Sequence, residues 1–206
     1  MRNLLMAVSL LGALLLASGS LYGAEEGGAG ETETAIFAGG CFWCMEAPFD
    51  KLKGVLSTTS GYIGGHKAKP TYKEVSSGRT GHTEAVEVVF DPKLIDYKDL
   101  LDVFWHNIDP YDARGQFCDK GSQYRPGVFY VGDAQRLLAE SSLQALKQTV
   151  GTVHGDFATE ITEAKPFYAA EEYHQDYYLK NPVRYNYYRY RCGRDARLEA
   201  LWGPKS

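Results

Sequence analysis

A short apolar run, Ala35-Ile36-Phe37-Ala38, breaks at Gly39-Gly40 and continues as Cys41-Phe42-Trp43-Cys44. No other stretch constrains the chain as much. Paired glycines permit a sharp bend and a close approach of backbone. The next four positions carry two thiols and two large rings. A cysteine just past such a bend can sit at the positive end of a helix, where the thiolate is favoured. Phe42, Met45, Phe49 and Leu52 then share one helical face. Pro48 interrupts it, removing the hydrogen bond that the Cys44 carbonyl would accept. Either a kink near Cys44 or a later start to the regular helix is expected. A cysteine taken alone is more often a small buried side chain than a reagent, so Cys41 needs support from elsewhere.

Residues 1–24 hold one charge, Arg2, then an apolar run from Leu4 to Leu16 and several small residues. That order is the pattern of a secretory signal peptide, with cleavage expected between residues 19 and 24. The fully apolar part is short for a membrane span, so no stable membrane insertion is expected after cleavage. Export, to the periplasm or as a secreted protein, follows. Residues 25–34, mostly Gly, Glu and Thr, predict a flexible linker. Residues 35–206 are the size of a single domain. Loss of the leader removes Arg2 and no acid, taking the formal charge from −4 to −5. That mild acidity does not suit nucleic acid, and a monomer is expected. Export permits structural disulfides among Cys41, Cys44, Cys118 and Cys192. Cys41 and Cys44 are too close in sequence to close a stabilising loop, so that pair reads as a reactive dithiol.

Apolar, β-branched segments predict strands over 34–38, 55–62, 84–90, 128–131 and 157–163. Tyr97, Leu100, Leu101 and Phe104 recur at helical spacing behind Asp96, a suitable N-cap. Leu138, Ser142, Leu146 and Val150 mark another helix, capped by Asp133 and stopped at Gly151. The mixture predicts an α+β domain with a mixed sheet. Eight of the fifteen tyrosines fall between Phe167 and Tyr190, a partly buried wrap. The Pro, Asn, Arg and Gly content from Asn181 onward predicts irregular coil over the core.

Three polar motifs accompany the junction. Pro70-Thr71-Tyr72-Lys73-Glu74-Val75 follows the glycine-rich loop at Gly64-Gly65. Gly81-His82-Thr83-Glu84-Ala85-Val86 sets a carboxylate at the mouth of an apolar strand. Gln116-Phe117-Cys118-Asp119-Lys120-Gly121-Ser122-Gln123-Tyr124-Arg125 is the third. Each is weak alone. Together with Gly-Gly-Cys-Phe-Trp, in this order, they resemble the peptide methionine sulfoxide reductases of the A family, which reduce the S epimer of methionine sulfoxide. The likeness runs from about Ile36 through Tyr173-His174-Gln175-Asp176-Tyr177 to Leu201-Trp202-Gly203, essentially the whole mature domain. The fold expected with it is a ferredoxin-like, split βαβ sheet covered by helices and a long C-terminal coil.

The resemblance implies that Cys41 attacks the sulfoxide sulfur and that Glu84 protonates the departing oxygen. A carboxyl kept protonated by poor solvation suits that task. Tyr72 and Tyr124 would donate hydrogen bonds to the same oxygen, with Asp119 placing water or a tyrosine hydroxyl nearby. Phe42 and Trp43 would enclose the substrate methyl group. The sulfenic acid left on Cys41 would condense with a second thiol. Cys192 matches the family's C-terminal recycling cysteine and is favoured. Cys44, a departure from many relatives, is the alternative, and Cys118 comes third. No bound cofactor is expected, only a thioredoxin-like protein or other dithiol as reductant, with free methionine sulfoxide or oxidised proteins as substrate. No metal is expected, since beyond one Cys-x-x-Cys no zinc spacing occurs. Two rival classes remain. A general dithiol-disulfide exchanger would need a cis-proline loop facing the dithiol, while a secreted binding module would be stapled at Cys41–Cys44 and Cys118–Cys192.

Overall fold

The computed structural model describes residues 32–151 and 155–204. The leader and most of the expected linker lie outside these residues. The chain opens with β1 (Glu33–Ala38), α1 (Phe42–Asp50), β2 (Val55–Ile63), α2 (Tyr72–Ser76), β3 (Thr83–Phe90) and α3 (Tyr97–Trp105). A hairpin of β4 (Gly115–Gln116) and β5 (Asp119–Lys120) precedes β6 (Gly127–Tyr130), α4 (Gly132–Val150), β7 (Glu160–Glu163) and β8 (Tyr168–Ala169). Three helices end it: α5 (Tyr177–Lys180), α6 (Pro182–Arg191) and α7 (Arg194–Trp202).

The main sheet has the order β7-β6-β1-β3-β2-β8. Its inner part, β6-β1-β3-β2, is antiparallel, with α1 between β1 and β2 and α3 between β3 and β6. This is the expected split βαβ arrangement. The parallel pair β6 and β7 makes the sheet mixed.

Strand alternation decides which residues meet α1. Ala35 and Phe37 of β1 join Val86, Val88 and Phe90 of β3 in the larger core, beneath Phe42, Met45 and Phe49 of α1. Ile36, Ala38 and Ala85 point the other way, toward Ile63 and Phe129. Phe37 stacks on Phe49 and Phe104 at 5.0 and 5.2 Å between ring centres. Glu84 shares the parity of Val86 and Val88, so it too faces α1.

Several sequence expectations change. Glu33 and Thr34 belong to β1, paired with Phe90 and Val89, rather than to a linker. Helix α1 runs unbroken from Phe42 with Pro48 inside it. Asp96 caps α3 by accepting from the Lys98 and Asp99 N–H groups, as expected. The N-cap of α4 is Val131, and Asp133 lies in the first turn, paired with Arg136. The C-terminal coil is mostly helical. Pro182 sits at the first position of α6, where no hydrogen bond is lost. Gly193, at φ 69°, turns the chain between α6 and α7. Among the described residues no helix is long and apolar enough to cross a membrane.

Candidate active site

The bend between β1 and α1 fixes the site. Gly40 has φ 84°, and a Cβ there would lie 2.6 Å from Cβ of Gln116. Gly39 is as crowded, with Sδ of Met45 only 2.5 Å from where a Cβ would be. Only glycine allows this turn, and it leaves Cys41 as the N-cap of α1. The Phe42 N–H, unpaired within the helix, donates to Oε2 of Glu84 at 3.1 Å. Nucleophile and acid candidate are thus joined by one backbone contact.

Glu84 is 2% exposed. Burial pushes its pKa up to about 8 against the pull of the Phe42 N–H, so it holds its proton at neutral pH. The opposing residue on β2 is Tyr62, whose hydroxyl donates to Glu171 at 2.8 Å. Glu171 also accepts from the Tyr72 N–H at 2.8 Å, fastening the start of α2. A capping box between Thr71 and Glu74 fixes the same turn. Tyr124 arrives on a 3-10 turn, Ser122–Tyr124. The Thr83 hydroxyl holds that loop through the Arg125 carbonyl, 3.1 Å away. The charges of Glu84 and Cys41 both act on the Tyr72 and Tyr124 phenols, whose pKa values rise chiefly through burial. Neither hydroxyl is committed to a protein hydrogen bond among the described residues.

Phe42 lies with Tyr62, Tyr72 and His174 around it at 5.0 to 6.4 Å between ring centres. Trp43 stacks on Tyr177 at 3.7 Å and meets the edge of Tyr188. Its indole N–H donates to Nδ1 of His174 at 3.0 Å. Burial lowers the pKa of His174, consistent with a neutral ring accepting at Nδ1. Asp119, its pKa raised by burial, accepts from the Tyr188 hydroxyl. That hydroxyl also lies within hydrogen-bond reach of Cys41. Tyr188 was not singled out from the sequence, and His174 and Tyr177 appeared there only within the Tyr173–Tyr177 motif, with no role assigned. For Tyr188, only the density of tyrosines pointed toward its segment.

The four cysteines fall into two pairs. Cys118 and Cys192 form a disulfide across 74 positions, whereas Cys41 and Cys44 are free and buried. Cys192, the favoured partner for Cys41, therefore has no thiol to offer in this state. The free thiols contradict a module stapled at both pairs. Cys41 is not a resting thiolate either. Burial, a hydrogen bond donated to Cys44 and the charges of Cys44, Glu84 and Asp119 push its thiol up. The ionised form is favoured at Cys44, through the Cys41 hydrogen bond and, against its burial, the Arg194 and Arg189 charges. Among the described residues, Cys118, Asp119 and Cys192 alone group metal-type ligands, and two of those are bonded to each other. A cleft lined by Lys51, Val103, Tyr185 and Trp202 includes none of the site residues.

Fold and site together place a buried pair of free thiols beside a protonated carboxyl, two phenols and a cluster of aromatic rings. Residues 33–206 match the family model for peptide methionine sulfoxide reductase. The peptide methionine sulfoxide reductase MsrA of Bacillus licheniformis is 53% identical over 173 residues, covering 84% of this chain and 95% of the relative. That of Bacillus subtilis is 50% identical over 173 residues, covering 84% and 97%. Among solved structures, methionine sulfoxide reductase A of Corynebacterium diphtheriae superposes with a TM-score of 0.71 at 35% identity, covering 76% of this chain and 78% of that one. Mxr1 of Saccharomyces cerevisiae in its reduced form gives 0.69 at 33%, covering 74% and 87%. The Mxr1 complex with Trx2, at 23% identity and a TM-score of 0.51 over 71% and 85%, shares the fold. The chain belongs to the peptide methionine sulfoxide reductase family, in its A branch, whose enzymes return methionine (S)-sulfoxide to methionine.

Proposed function

We propose that Cys41 is the nucleophile of this reductase and Glu84 its acid. The supporting observation is the Phe42 N–H bond to Glu84, which holds a protonated carboxyl beside the Cys41 backbone. When the sulfoxide enters, Cys41 gives its proton to the Cys44 thiolate along their hydrogen bond and attacks sulfur. The sulfoxide oxygen, hydrogen-bonded by Tyr72 and Tyr124, takes the Glu84 proton; the resulting hydroxyl passes from the substrate sulfur to the Cys41 sulfur as the S–S bond breaks, and methionine leaves. Cys41 is left as a sulfenic acid. Phe42 and Trp43 grip the methyl group, the latter held by Tyr177 and His174. Asp119 fixes the Tyr188 hydroxyl beside the reacting sulfur. An intramolecular disulfide follows and is reopened by an outside dithiol. The Mxr1 complex with Trx2 makes a thioredoxin-like donor the natural choice.

Free methionine sulfoxide and oxidised proteins both fit a site that recognises the methyl sulfoxide group alone. All the chemistry sits in one copy, which suits a monomer. The apolar leader at residues 1–24 supports export to the periplasm or beyond. Single-turnover reduction of methionine (S)-sulfoxide by Glu84→Gln tests the assignment. Strongly slowed methionine release is expected, and a rate equal to wild type removes Glu84 from the acid role.

A further inference from the structure

Arg194 is 1% exposed, and among the described residues no carboxylate stands in ion-pair contact with it. Gly193, at φ 69°, turns the chain after α6 and makes Arg194 the first residue of α7. Its Nη2 donates to the carbonyls of Gly39 and Asn107, both at 2.8 Å, and lies 3.0 Å from Sδ of Met45. The Phe117 ring covers the guanidinium at 4.4 Å. Nε has no partner among the described residues. Other arginines of the same segment are neutralised, Arg189 by Asp195 and Arg197 by Asp109. Every acceptor that Arg194 reaches is neutral.

A buried charge with no opposite charge beside it is costly, so the groups it acts on from farther away decide its use. Cys44 is held toward its ionised form by the Cys41 hydrogen bond and, against burial, by Arg194 and then Arg189. Asp119, raised by burial, is drawn back by Tyr188 and then Arg194. The groups facing Cys41, namely Cys44, Glu84, Asp119 and the Tyr188 hydroxyl, include no cation. The positive charge therefore lies on the Cys44 side of the pair. The same guanidinium also grips the Gly39 carbonyl, at the bend that delivers Cys41.

We propose that Arg194 is a positioning residue for sulfoxide reduction: its guanidinium ties the glycine bend before Cys41 to α7 and supplies the fixed positive charge that keeps the inner pair's anion on Cys44. This rests on the assignment of Cys41 as nucleophile and Cys44 as the acceptor of its proton. When the sulfoxide arrives, the proton passes from the Cys41 sulfur to the Cys44 sulfur. The electron pair left on Cys41 forms the bond to the substrate sulfur. Without the Arg194 charge the pair would bind a second proton near neutral pH and lose its internal base.

The test uses the full chain with the Cys118–Cys192 bridge intact, so that only Cys41 and Cys44 titrate as thiols. Ultraviolet absorbance of the thiolate against pH gives the midpoint of the pair without substrate. Arg194→Gln keeps a donor for the carbonyls and loses the charge. Its midpoint should rise by about one pH unit, which is about tenfold less anion at a given pH. Its first turnover at saturating methionine (S)-sulfoxide should slow by about tenfold at neutral pH, with KM changed less than about threefold. Arg194→Lys keeps the charge and should bring the midpoint back to within about 0.3 units of wild type. A folded Arg194→Gln with the wild-type midpoint overturns the proposal. An equal rise in the Gln and Lys variants overturns it too, because packing alone would then explain both. If Arg194→Gln does not fold, Arg194→Lys decides: a held midpoint supports the charge, and a rise of about one unit removes it. Methionine formation by Cys41→Ser would instead refute the nucleophile assignment and leave the midpoint result standing.

Discussion

The two cysteine pairs have the same chemistry in principle and opposite surroundings in practice. The inner pair sits where a strand, a glycine bend and a helix converge, with Cys44 packed against Tyr177 and Tyr185 of the C-terminal helices. Its ionisation is set by burial and by the bond from one thiol to the other. The outer pair joins a two-stranded hairpin to a helix end at the surface, where Cys118 is open to solvent. Burial supplies the inner region with a protonated carboxyl and surrounds Phe42 and Trp43 with aromatic rings. Exposure gives the outer region access and no means of polarising a sulfoxide. Asp119 and Tyr188 lie between the two pairs, hydrogen-bonded to each other.

The contrast can be broken most severely at the inner pair. Cys41→Ser removes the nucleophile, and methionine formation should fall by roughly 10⁴-fold or more, read as product released by the reduced protein. Glu84→Gln keeps an acceptor for the Phe42 N–H but has no proton to give, so the first turnover should slow by about 10²- to 10³-fold. The sign of the pH dependence follows from the raised carboxyl. Wild-type first-turnover rate should hold through neutrality and decline as pH rises through about 8, where Glu84 loses its proton. Tyr72→Phe or Tyr124→Phe each removes one donor to the oxygen, and about 10- to 100-fold should be lost per variant in the same assay. Tyr188→Phe, at the boundary between the regions, should cost the first turnover less than about tenfold.

How far all this was readable from the chain differs between the same two regions. Strand alternation places Glu84 on the α1 side through Val86, Val88 and Phe90, and the glycines before Cys41 force the bend. Both are local patterns, legible without coordinates. The outer region depends on contacts that no local pattern records. Spacing cannot assign partners among four cysteines, and Cys118 meets Cys192 only because α6 folds back over the hairpin. Helices α6 and α7 were hidden by Pro182 and Gly193, which look like breakers until the structure shows them at a first position and a turn. Tyr188 was one tyrosine among eight in its stretch, and only packing against Trp43 and Asp119 distinguishes it.

The most direct test of a buried acid beside a buried thiol is first-turnover methionine release by wild type and Glu84→Gln, compared between about pH 6 and 9. The expected result is a wild-type rate that declines as pH passes about 8, beside a variant that is slow and flat across the range. Equal rates and matching pH profiles for the two proteins would contradict it.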